Sequence, residues 1–182
     1  MVTPIAISRF SLHLIISSEK PKEWVLSVVY NPQNIQLQKA LWQDLRFFSK
    51  LSLPWILLGD FNAILNPTEH RGGNFDHYSA KAKLFSDFIN ENQLFDLGFI
   101  GSPFTWCNNQ IGLARRWARL DRVLANNEWL SSFDSYFNRH LSRTASDHSP
   151  MLVIAKSNSN HKRRVFRFEN FWFDYEQCHS NV

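Results

Sequence analysis

An acidic residue and an amide, Asp60 and Asn62, follow a short apolar run in a way that suits catalysis. The run Trp55–Leu58 is typical of a strand buried on both faces, and Gly59 ends it where side-chain bulk would block a tight turn. A carboxylate and an amide at the end of a buried strand are poor core residues and good active-site residues. If the backbone stays extended, the two side chains point the same way. A strand-ending turn closed by an Asx hydrogen bond explains the pair equally well.

Asp147 and His148 form a second polar pair, in the loop before the apolar run Met151–Ile154. Imidazole titrates near neutral pH, so it can accept a proton from water when a carboxylate holds its other nitrogen. Neighbouring residues of an extended chain face opposite ways, which makes Asp147 a poor orienter for His148. A more distant carboxylate such as Asp121 is the better candidate, although an ordinary cross-strand ion pair would also explain why Arg119 and Asp121 share a face.

The elements that must position these residues follow from the hydrophobic periodicity. Strands at Phe10–Ile16 and Trp24–Tyr30 are predicted to form an antiparallel hairpin, with His13 facing solvent. Asn34 is the predicted cap of a helix that runs to about Lys50, and this β-α-β order is typical of layered α/β folds. The other predicted elements are a long loop, a helix, two strands around a polar turn, a short helix and two strands: Ala63–His77, Ser79–Asn92, Phe104–Trp106, Arg116–Leu124, Asn127–Ser132, Asp134–His140 and Met151–Ile154.

The composition indicates one folded domain over residues 1–156, followed by a basic linker and an aromatic tail at 157–182. Hydrophobic residues make up 44% of the chain and aromatic residues 15%, which excludes a disordered protein. The net charge of +4 permits a polyanionic partner without demanding one. Two cysteines far apart in sequence argue against a disulfide framework or a zinc site. Since no stretch approaches the roughly eighteen apolar residues of a membrane span, we expect an intracellular protein without membrane association.

Four motifs in order resemble the endonuclease/exonuclease/phosphatase superfamily, which includes the DNase I-like and apurinic-endonuclease-like enzymes. They are Tyr30-Asn31-Pro32, GDFN at Gly59–Asn62, RLD at Arg119–Asp121 and SDHSP at Ser146–Pro150. Three stretches resemble more narrowly the endonuclease domains of plant LINE-type non-LTR retrotransposons: FTWCNN at Phe104–Asn109, RLDRVLAN at Arg119–Asn126 and FRFENFW at Phe166–Trp172. Each motif is weak alone, whereas four in order at suitable spacing are specific.

The resemblance implies a DNase I-like α/β sandwich of two facing sheets with helices outside. It also implies a hydrolase that cleaves phosphate esters with a divalent metal, Mg²⁺ or Mn²⁺. His148 would lie beside the scissile phosphate with Asp121 as its orienter, and Asp60 and Asn62 would lie at the attacking water. Tyr30 would contact the phosphate, although its position alone favours a rim aromatic that packs on a loop. Such catalysis needs an in-line nucleophile and neutralisation of the charge that builds on the phosphoryl oxygens.

By the same resemblance, DNA is the expected partner, the nucleus the expected location, Asp147 the expected metal ligand, and no further small-molecule cofactor is expected. The residues expected to contact nucleic acid are Arg71, Asn74, Trp106, Arg119 and Ser146.

The sequence also departs from the family. Members begin with a strand ending in Asn and a later strand carrying a metal-ligating Glu, both upstream of the hairpin predicted here, and neither Glu19 nor Glu23 matches that position. We therefore expect an N-terminally truncated copy in which Asp147 alone would hold Mg²⁺ poorly. Three functions stay open: a metal-dependent DNA endonuclease, a catalytically inactive retrotransposon-derived remnant with at most weak nucleic-acid binding, and a small-molecule phosphatase. The FTWCNN stretch and the basic loops weigh against the third.

Overall fold

The computed structural model describes residues 1–73 and 76–157, with backbone alone at 76–79. The strands are β1 Val2–Ile7, β2 Ser11–Ser17, β3 Glu23–Tyr30, β4 Trp55–Asp60, β5 His70–Arg71, β6 Phe95–Asp96, β7 Trp106–Cys107, β8 Trp117–Ala118, β9 Asp121–Ala125, β10 Ser135–His140 and β11 Met151–Lys156. The helices are α1 Ile35–Ser49, α2 Asp76–Glu91 and α3 Asn127–Ser132. Across the part of the chain that is described, no helix is long and apolar enough to cross a membrane. The predicted tail lies mostly outside the described residues.

One six-stranded sheet, in the order β1-β2-β3-β4-β9-β6, forms the centre of the fold. Strands β1, β2 and β3 pair antiparallel in sequence, and α1 then carries the chain across so that β4 pairs parallel with β3. Strand β9 runs antiparallel to β4. The carboxyl ends of β3 and β4 therefore lie side by side, next to the first residue of β9.

Apolar residues cover both faces of this sheet because successive side chains of a strand point in opposite directions. On one face, Val25 and Leu57 pack in a core cluster with the apolar residues of α1 and α2. On the other face, Ile56 and Val123 pack with α3 and with the residues of β11. Strand β4 is thus buried on both faces, as predicted. The mixed α/β fold with more than one sheet is also confirmed: a β10–β11 pair and a three-stranded sheet, β5-β8-β7, accompany the central sheet.

Helix α1 begins and ends where the sequence predicted. The side chain of Asn34 accepts hydrogen bonds from the backbone N–H groups of Gln36 and Leu37, at 2.8 and 3.2 Å, which satisfies two donors that have no partner within the helix. Leu41 and Leu45 are fully buried on the face that packs on the sheet. The helix therefore fixes the crossover that brings β4 beside β3.

His13 does not face solvent, which corrects the sequence prediction. Its side chain is 2% exposed, and its two ring nitrogens lie 2.7 Å from Ser27 Oγ and 2.9 Å from Ser11 Oγ. The ring also stacks on Phe48 with centroids 3.7 Å apart. Burial lowers the pKa of His13 to about 4. The imidazole can be buried in its neutral form because the two serine hydroxyls satisfy both ring nitrogens.

The predicted strand Arg116–Leu124 is in fact two strands in different sheets. Strand β8 pairs with β5 and β7, and β9 pairs with β4 and β6. A buried ion cluster holds the chain at the break, because the guanidinium groups of Arg119 and Arg122 both bind the carboxylates of Glu69 and Asp96. Arg119 lies 2.7 Å from Asp96, and Arg122 is fully buried. The two arginines therefore connect the start of β9 to Glu69, just before β5, and to Asp96 in β6.

Replacement of Arg122 by methionine should destabilise the fold by about 3–5 kcal/mol, because it leaves two buried carboxylates with one arginine. Chemical denaturation of the wild type and the variant measures this loss. The matched control is Arg46→Met, which removes an exposed ion pair with Glu91 and should cost ~0–1 kcal/mol. Equal losses in the two variants would show that the buried cluster has no special role.

Candidate active site

One tyrosine and two aspartates lie in one row across the central sheet. In the strand registers, Tyr30 of β3 pairs with Asp60 of β4, and Asp60 pairs with Asp121 of β9. A cleft of about 260 Å³ opens beside this row. Its lining residues are Tyr30, Gln33, Asp60, Asn62, Trp106, Leu120, Asp147 and His148.

Gly59 allows β3 and β4 to approach closely just before Asp60. Its φ is +143°, and a Cβ atom there would lie 2.0 Å from the carbonyl oxygen of Val29. The backbone then turns at Asn62, whose φ is 47°, so the two side chains do not meet through an extended chain as the sequence suggested. The turn instead lets the Asn62 N–H donate to Asp60 Oδ1 at 2.8 Å and Nδ2 donate to Oδ2 at 2.9 Å. The two residues therefore form an Asx turn and also line the cleft, so both explanations of the pair apply.

A chain of side-chain hydrogen bonds continues from this turn to α2. Asn62 Nδ2 also donates to the carbonyl oxygen of Asn31 at 2.7 Å, and Gln33 Nε2 donates to Asn62 Oδ1 at 2.7 Å. Lys81 Nζ in turn donates to Gln33 Oε1 at 2.6 Å. With its amide fully engaged, Asn62 acts here as the residue that holds the Asp60 carboxylate in place.

Asp121 and His148 come together although 27 positions separate them, with Asp121 Oδ2 2.9 Å from His148 Nδ1. Asp121 begins β9, and His148 lies at the end of the loop after β10, where it forms an antiparallel bridge with Trp106. Asp147 does not hold His148 and instead accepts a hydrogen bond from Trp106 Nε1 at 3.0 Å. The structure therefore pairs the imidazole with the distant carboxylate that the sequence analysis preferred.

The surroundings of the cleft raise the pKa values of both Asp60 and His148. Burial raises the pKa of Asp60 to about 6, although the Asn62 N–H opposes this, and the nearby Asp121 carboxylate adds to the rise. The hydrogen bond that His148 Nδ1 donates to the Asp121 carboxylate raises the pKa of His148 above its usual 6.5, against the effect of burial. Near neutral pH, Asp60 is therefore an ionised carboxylate of unusual proton affinity beside an imidazole that retains its proton more readily than in water.

A family model described as Endonuclease/Exonuclease/phosphatase family matches residues 9–148. The match spans about three quarters of the chain and includes every residue of the cleft. The chain belongs to the endonuclease/exonuclease/phosphatase family. No curated protein matches it significantly.

Solved structures of this family share the fold. The endonuclease domain of TRAS1, a telomere-specific non-LTR retrotransposon, superposes with a TM-score of 0.64 at 19% identity over 85% of this chain and 68% of that one. A 3'-5' exonuclease, NExo from Neisseria meningitidis, gives a TM-score of 0.59 at 17% identity over 82% and 66%. The AP endonuclease LMAP from Leishmania major gives 0.56 at 13% identity over 82% and 55%. The chain thus spans between about half and two thirds of the length of these relatives.

Two of the residues expected to contact nucleic acid border the cleft. Trp106 lines it, and Ser146 Oγ accepts a hydrogen bond from the His148 N–H at 3.1 Å. Arg71 is exposed in a neighbouring depression. Asn74 lies outside the described residues.

Arg119 requires a correction. Its side chain is 7% exposed, and both ends of its guanidinium bind carboxylates of the buried cluster. It therefore has neither the exposure nor a free donor face for a phosphate, and its pairing is with Glu69 and Asp96 and not across the strand with Asp121. The spacing of Arg119 and Asp121 in the sequence does not reveal that β9 begins only at Asp121, so that Arg119 lies before the strand and binds other carboxylates.

Sequence reasoning missed Thr105, which connects the two sides of the Asp121–His148 pair. Its buried Oγ1 accepts hydrogen bonds from the N–H groups of Leu120 and Asp121, at 3.0 and 2.9 Å. Its carbonyl oxygen accepts a hydrogen bond from the Ser149 N–H at 2.7 Å, one residue after His148. A single threonine in an apolar segment carries no sequence signal for such a role.

The donor set of the cleft suits a divalent cation. Asp60, Asp121 and His148 each offer one ligand atom, and these atoms lie within 4.8 Å of one another. Carboxylate oxygens are the donors that Mg²⁺ prefers. Asp121 and His148 are bonded to each other and Asp60 is bonded to Asn62, whereas Asp147 is exposed at the rim, where its Trp106 hydrogen bond keeps its pKa below the usual value. Residues that fit a metal are therefore present.

The Asp121–His148 bond should be visible in the titration of the metal-free protein. We expect the His148 imidazole to titrate above 6.5 and the midpoint to fall in Asp121→Asn, since Asp121 is the largest cause of the shift. Asp147→Asn is the matched control and should lower the midpoint less. Because the folded-state pKa is raised, the pair stabilises the fold below 6.5, and this stabilisation is lost as the pH rises through the folded-state value. NMR titration and denaturation at pH 5.5 and 9 measure both effects; an unchanged midpoint in Asp121→Asn would contradict the pairing.

Thr105→Val should cost about 1–3 kcal/mol in the free energy of unfolding, because it leaves two buried N–H groups without their acceptor. Thr105→Ser keeps the hydroxyl and should retain most of the stability. Chemical denaturation compares the two. A larger loss in the serine variant than in the valine variant would show that methyl packing, and not the hydroxyl, is what matters.

Proposed function

We propose that this domain is a divalent-metal-dependent DNA endonuclease of the kind found in LINE-type retrotransposons. The observation that carries the proposal is one cleft in which the Asp121–His148 pair lies beside the Asp60–Asn62 turn. Hydrolysis of a phosphodiester needs a group that takes a proton from water and a group that supplies positive charge or a proton at the phosphate. The two pairs are suited to these two tasks.

Asp60 is the residue we assign to the attacking water. Its pKa of about 6 leaves it ionised at neutral pH and a stronger proton acceptor than an ordinary carboxylate. As the water oxygen forms its bond to phosphorus, one water proton passes to Asp60. Asn62 keeps the carboxylate in position by donating to both of its oxygens.

His148 is the residue we assign to the phosphate. Asp121 holds Nδ1, and Nε2 makes no hydrogen bond to the residues that the structure describes, so it is available to the substrate. A protonated imidazole here can donate to a phosphoryl oxygen and can give its proton to the ester oxygen as the bond from phosphorus breaks. Tyr30 lines the cleft, and Lys81 donates a hydrogen bond to Gln33, which also lines it. We assign Tyr30 and Lys81 to contacts with phosphate oxygens.

Asp147 is the residue we assign to the metal, together with oxygens of the substrate. A divalent cation bound there would neutralise charge on the phosphoryl oxygens. The remaining residues act without it: Trp106 fixes the Asp147 carboxylate, and Asp121 fixes the imidazole.

DNA is the substrate that we favour over a small phosphate ester. The similar structures include a retrotransposon endonuclease domain, an AP endonuclease and a 3' phosphatase bound to a product DNA hairpin. The rim of the cleft continues into a surface of exposed arginines, which suits a polyanion longer than one phosphate. Action on chromosomal DNA would place the protein in the nucleus.

An inactive, retrotransposon-derived remnant with weak nucleic-acid binding is the second candidate. One observation favours it: of the three carboxylates that meet at the cleft, Asp60 and Asp121 are already hydrogen-bonded to Asn62 and His148, which leaves one lightly engaged carboxylate for a metal. Mg²⁺ usually needs more protein ligands or substrate oxygens than that. The expected truncation stays a prediction.

A plasmid-nicking assay with Mg²⁺ or Mn²⁺ separates the candidates. We expect the wild type to convert supercoiled plasmid to the open circle, and His148→Ala to be slower by about 10²–10⁴-fold, the usual loss of an acid–base group. The matched control is Lys22→Ala, an exposed residue in the turn between β2 and β3 at the far end of the sheet, and its rate should equal that of the wild type.

Failure of the wild type to nick more than His148→Ala would end the endonuclease proposal. Salt-dependent retention of DNA without cleavage would then establish the binding remnant. Preferential release of phosphate from 3'-phosphorylated ends or sugar phosphates would establish phosphatase activity instead.

A further inference from the structure

The surface beside the cleft carries arginines that have no carboxylate partner among residues 1–73 and 80–157. Other arginines, at 46, 119 and 122, are held in ion pairs with Glu91, Glu69 or Asp96. The unpaired ones on this surface are Arg71 on β5, Arg115 and Arg116 in the turn between β7 and β8, and Arg143 in the loop after β10. Three of them are exposed and Arg143 is half-buried. Four positive charges without local neutralisation create a strong local potential for an anion.

Two of these arginines are ordered by one aromatic ring. The guanidinium carbons of Arg115 and Arg143 lie 5.4 and 4.9 Å from the Trp117 ring centroid, within the range of cation–π contacts. The guanidinium groups come from different parts of the chain, so the indole fixes two otherwise long and flexible side chains. A planar guanidinium held on a ring presents its outer face and its donors to a ligand.

Trp117 and the two arginines on its ring, Arg115 and Arg143, form an arginine–tryptophan platform. The backbone beneath this platform is close-packed. Gly72 has φ +83°, and a Cβ atom there would lie 2.3 Å from the carbonyl oxygen of Arg115. The β5 turn therefore lies directly against the turn that carries Arg115, and a depression of about 500 Å³ forms between them. Arg71, Arg115 and Trp117 line it.

A second depression connects this platform with the active-site cleft. It has a volume of about 630 Å³, and its lining includes Asn108, Arg143 and Asp147. Asp147 also lines the cleft, and Arg143 contacts Trp117 of the platform. Asp147 therefore links the cleft to the second depression, and the Arg143–Trp117 contact links that depression to the arginine–tryptophan platform.

We propose that this surface binds single-stranded DNA that continues from the cleft, with its bases stacked on the guanidinium faces held by Trp117 and its phosphates paired to the arginines. The inference rests on the proposed function for its direction and deepens it, since it specifies a duplex–single-strand junction as the substrate. Two features favour an unpaired strand over a duplex. Flat cationic groups on an aromatic ring recognise exposed base faces, which a duplex hides. The two depressions also carry arginine and asparagine side chains along their linings, and the phosphates of one strand can bind to these donors.

Fluorescence anisotropy in the presence of EDTA tests the proposal without requiring cleavage. The probes are a labelled single-stranded DNA 20-mer, the blunt duplex of the same sequence and the RNA of the same sequence. The first variant, Arg115→Gln/Arg143→Gln, removes two charges from the platform. Its matched control, Lys20→Gln/Lys22→Gln, removes two exposed charges in the turn between β2 and β3 at the other end of the sheet. Circular dichroism and thermal unfolding establish that all variants fold.

We expect the platform variant to bind the single strand at least about tenfold more weakly, with a salt slope smaller by about 1.4, since each lost contact with single-stranded phosphates removes roughly 0.7. The control and the duplex should change little. A second variant, Arg115→Lys/Arg143→Lys, keeps the charge and removes the planar faces. It should also weaken single-strand binding while preserving the salt slope.

An equal loss in the control pair, an unchanged affinity in the platform variant, or an equal loss for duplex and single strand would each overturn the proposal. Preference for the RNA probe would overturn the choice of DNA. Because binding is measured without metal, the platform can be refuted while plasmid nicking persists. It can also stand when nicking is absent, so the two proposals fail separately.

Discussion

Two buried arginines and two half-buried carboxylates decide where the chain changes sheets, and the active-site candidate depends on that point. Arg119 and Arg122 reach the same two carboxylates, Glu69 and Asp96, from either side of Asp121. Burial of this kind is stable only while every charge keeps its partner. The cluster fixes the first residue of β9, which places Asp121 opposite Asp60 in the register. The loop that carries His148 then meets a carboxylate that is already in position.

Hydrophobic periodicity was sufficient to predict the central elements. The β2–β3 hairpin, the helix capped by Asn34, the doubly buried β4 and the short helix α3 all lie close to their predicted positions. Each has a local cause, such as alternation, a capping side chain or an apolar run, that acts within a few residues. Strand β1 was missed because Pro4 and Ala6 give no strand signal and because all six of its residues are exposed.

The sequence was less informative where tertiary contacts override local preference. The Arg116–Leu124 segment looks like one strand, and only the partners at Glu69 and Asp96 reveal that it must break. His13 looks like a solvent-facing polar residue until Ser11 and Ser27 are seen to satisfy both ring nitrogens. The pairing of Asp121 with His148 could be favoured by excluding Asp147. Nothing in the sequence, in contrast, indicates that the Thr105 hydroxyl accepts hydrogen bonds from Leu120 and Asp121. In each case the decisive information is a partner distant in sequence.

The register that opposes Asp60 with Asp121 has a consequence for how the domain can change over time. Burial is the main cause that raises the pKa of Asp60 to about 6, and repulsion from the Asp121 carboxylate on the facing strand adds to it. An asparagine at position 60 would remove the repelling charge, but one carboxylate oxygen would become an NH2 group, whereas Asn62 donates to both oxygens through its N–H and its Nδ2. This isosteric substitution therefore replaces a charge repulsion with two donors that face each other, so the Asx turn itself opposes change at this position.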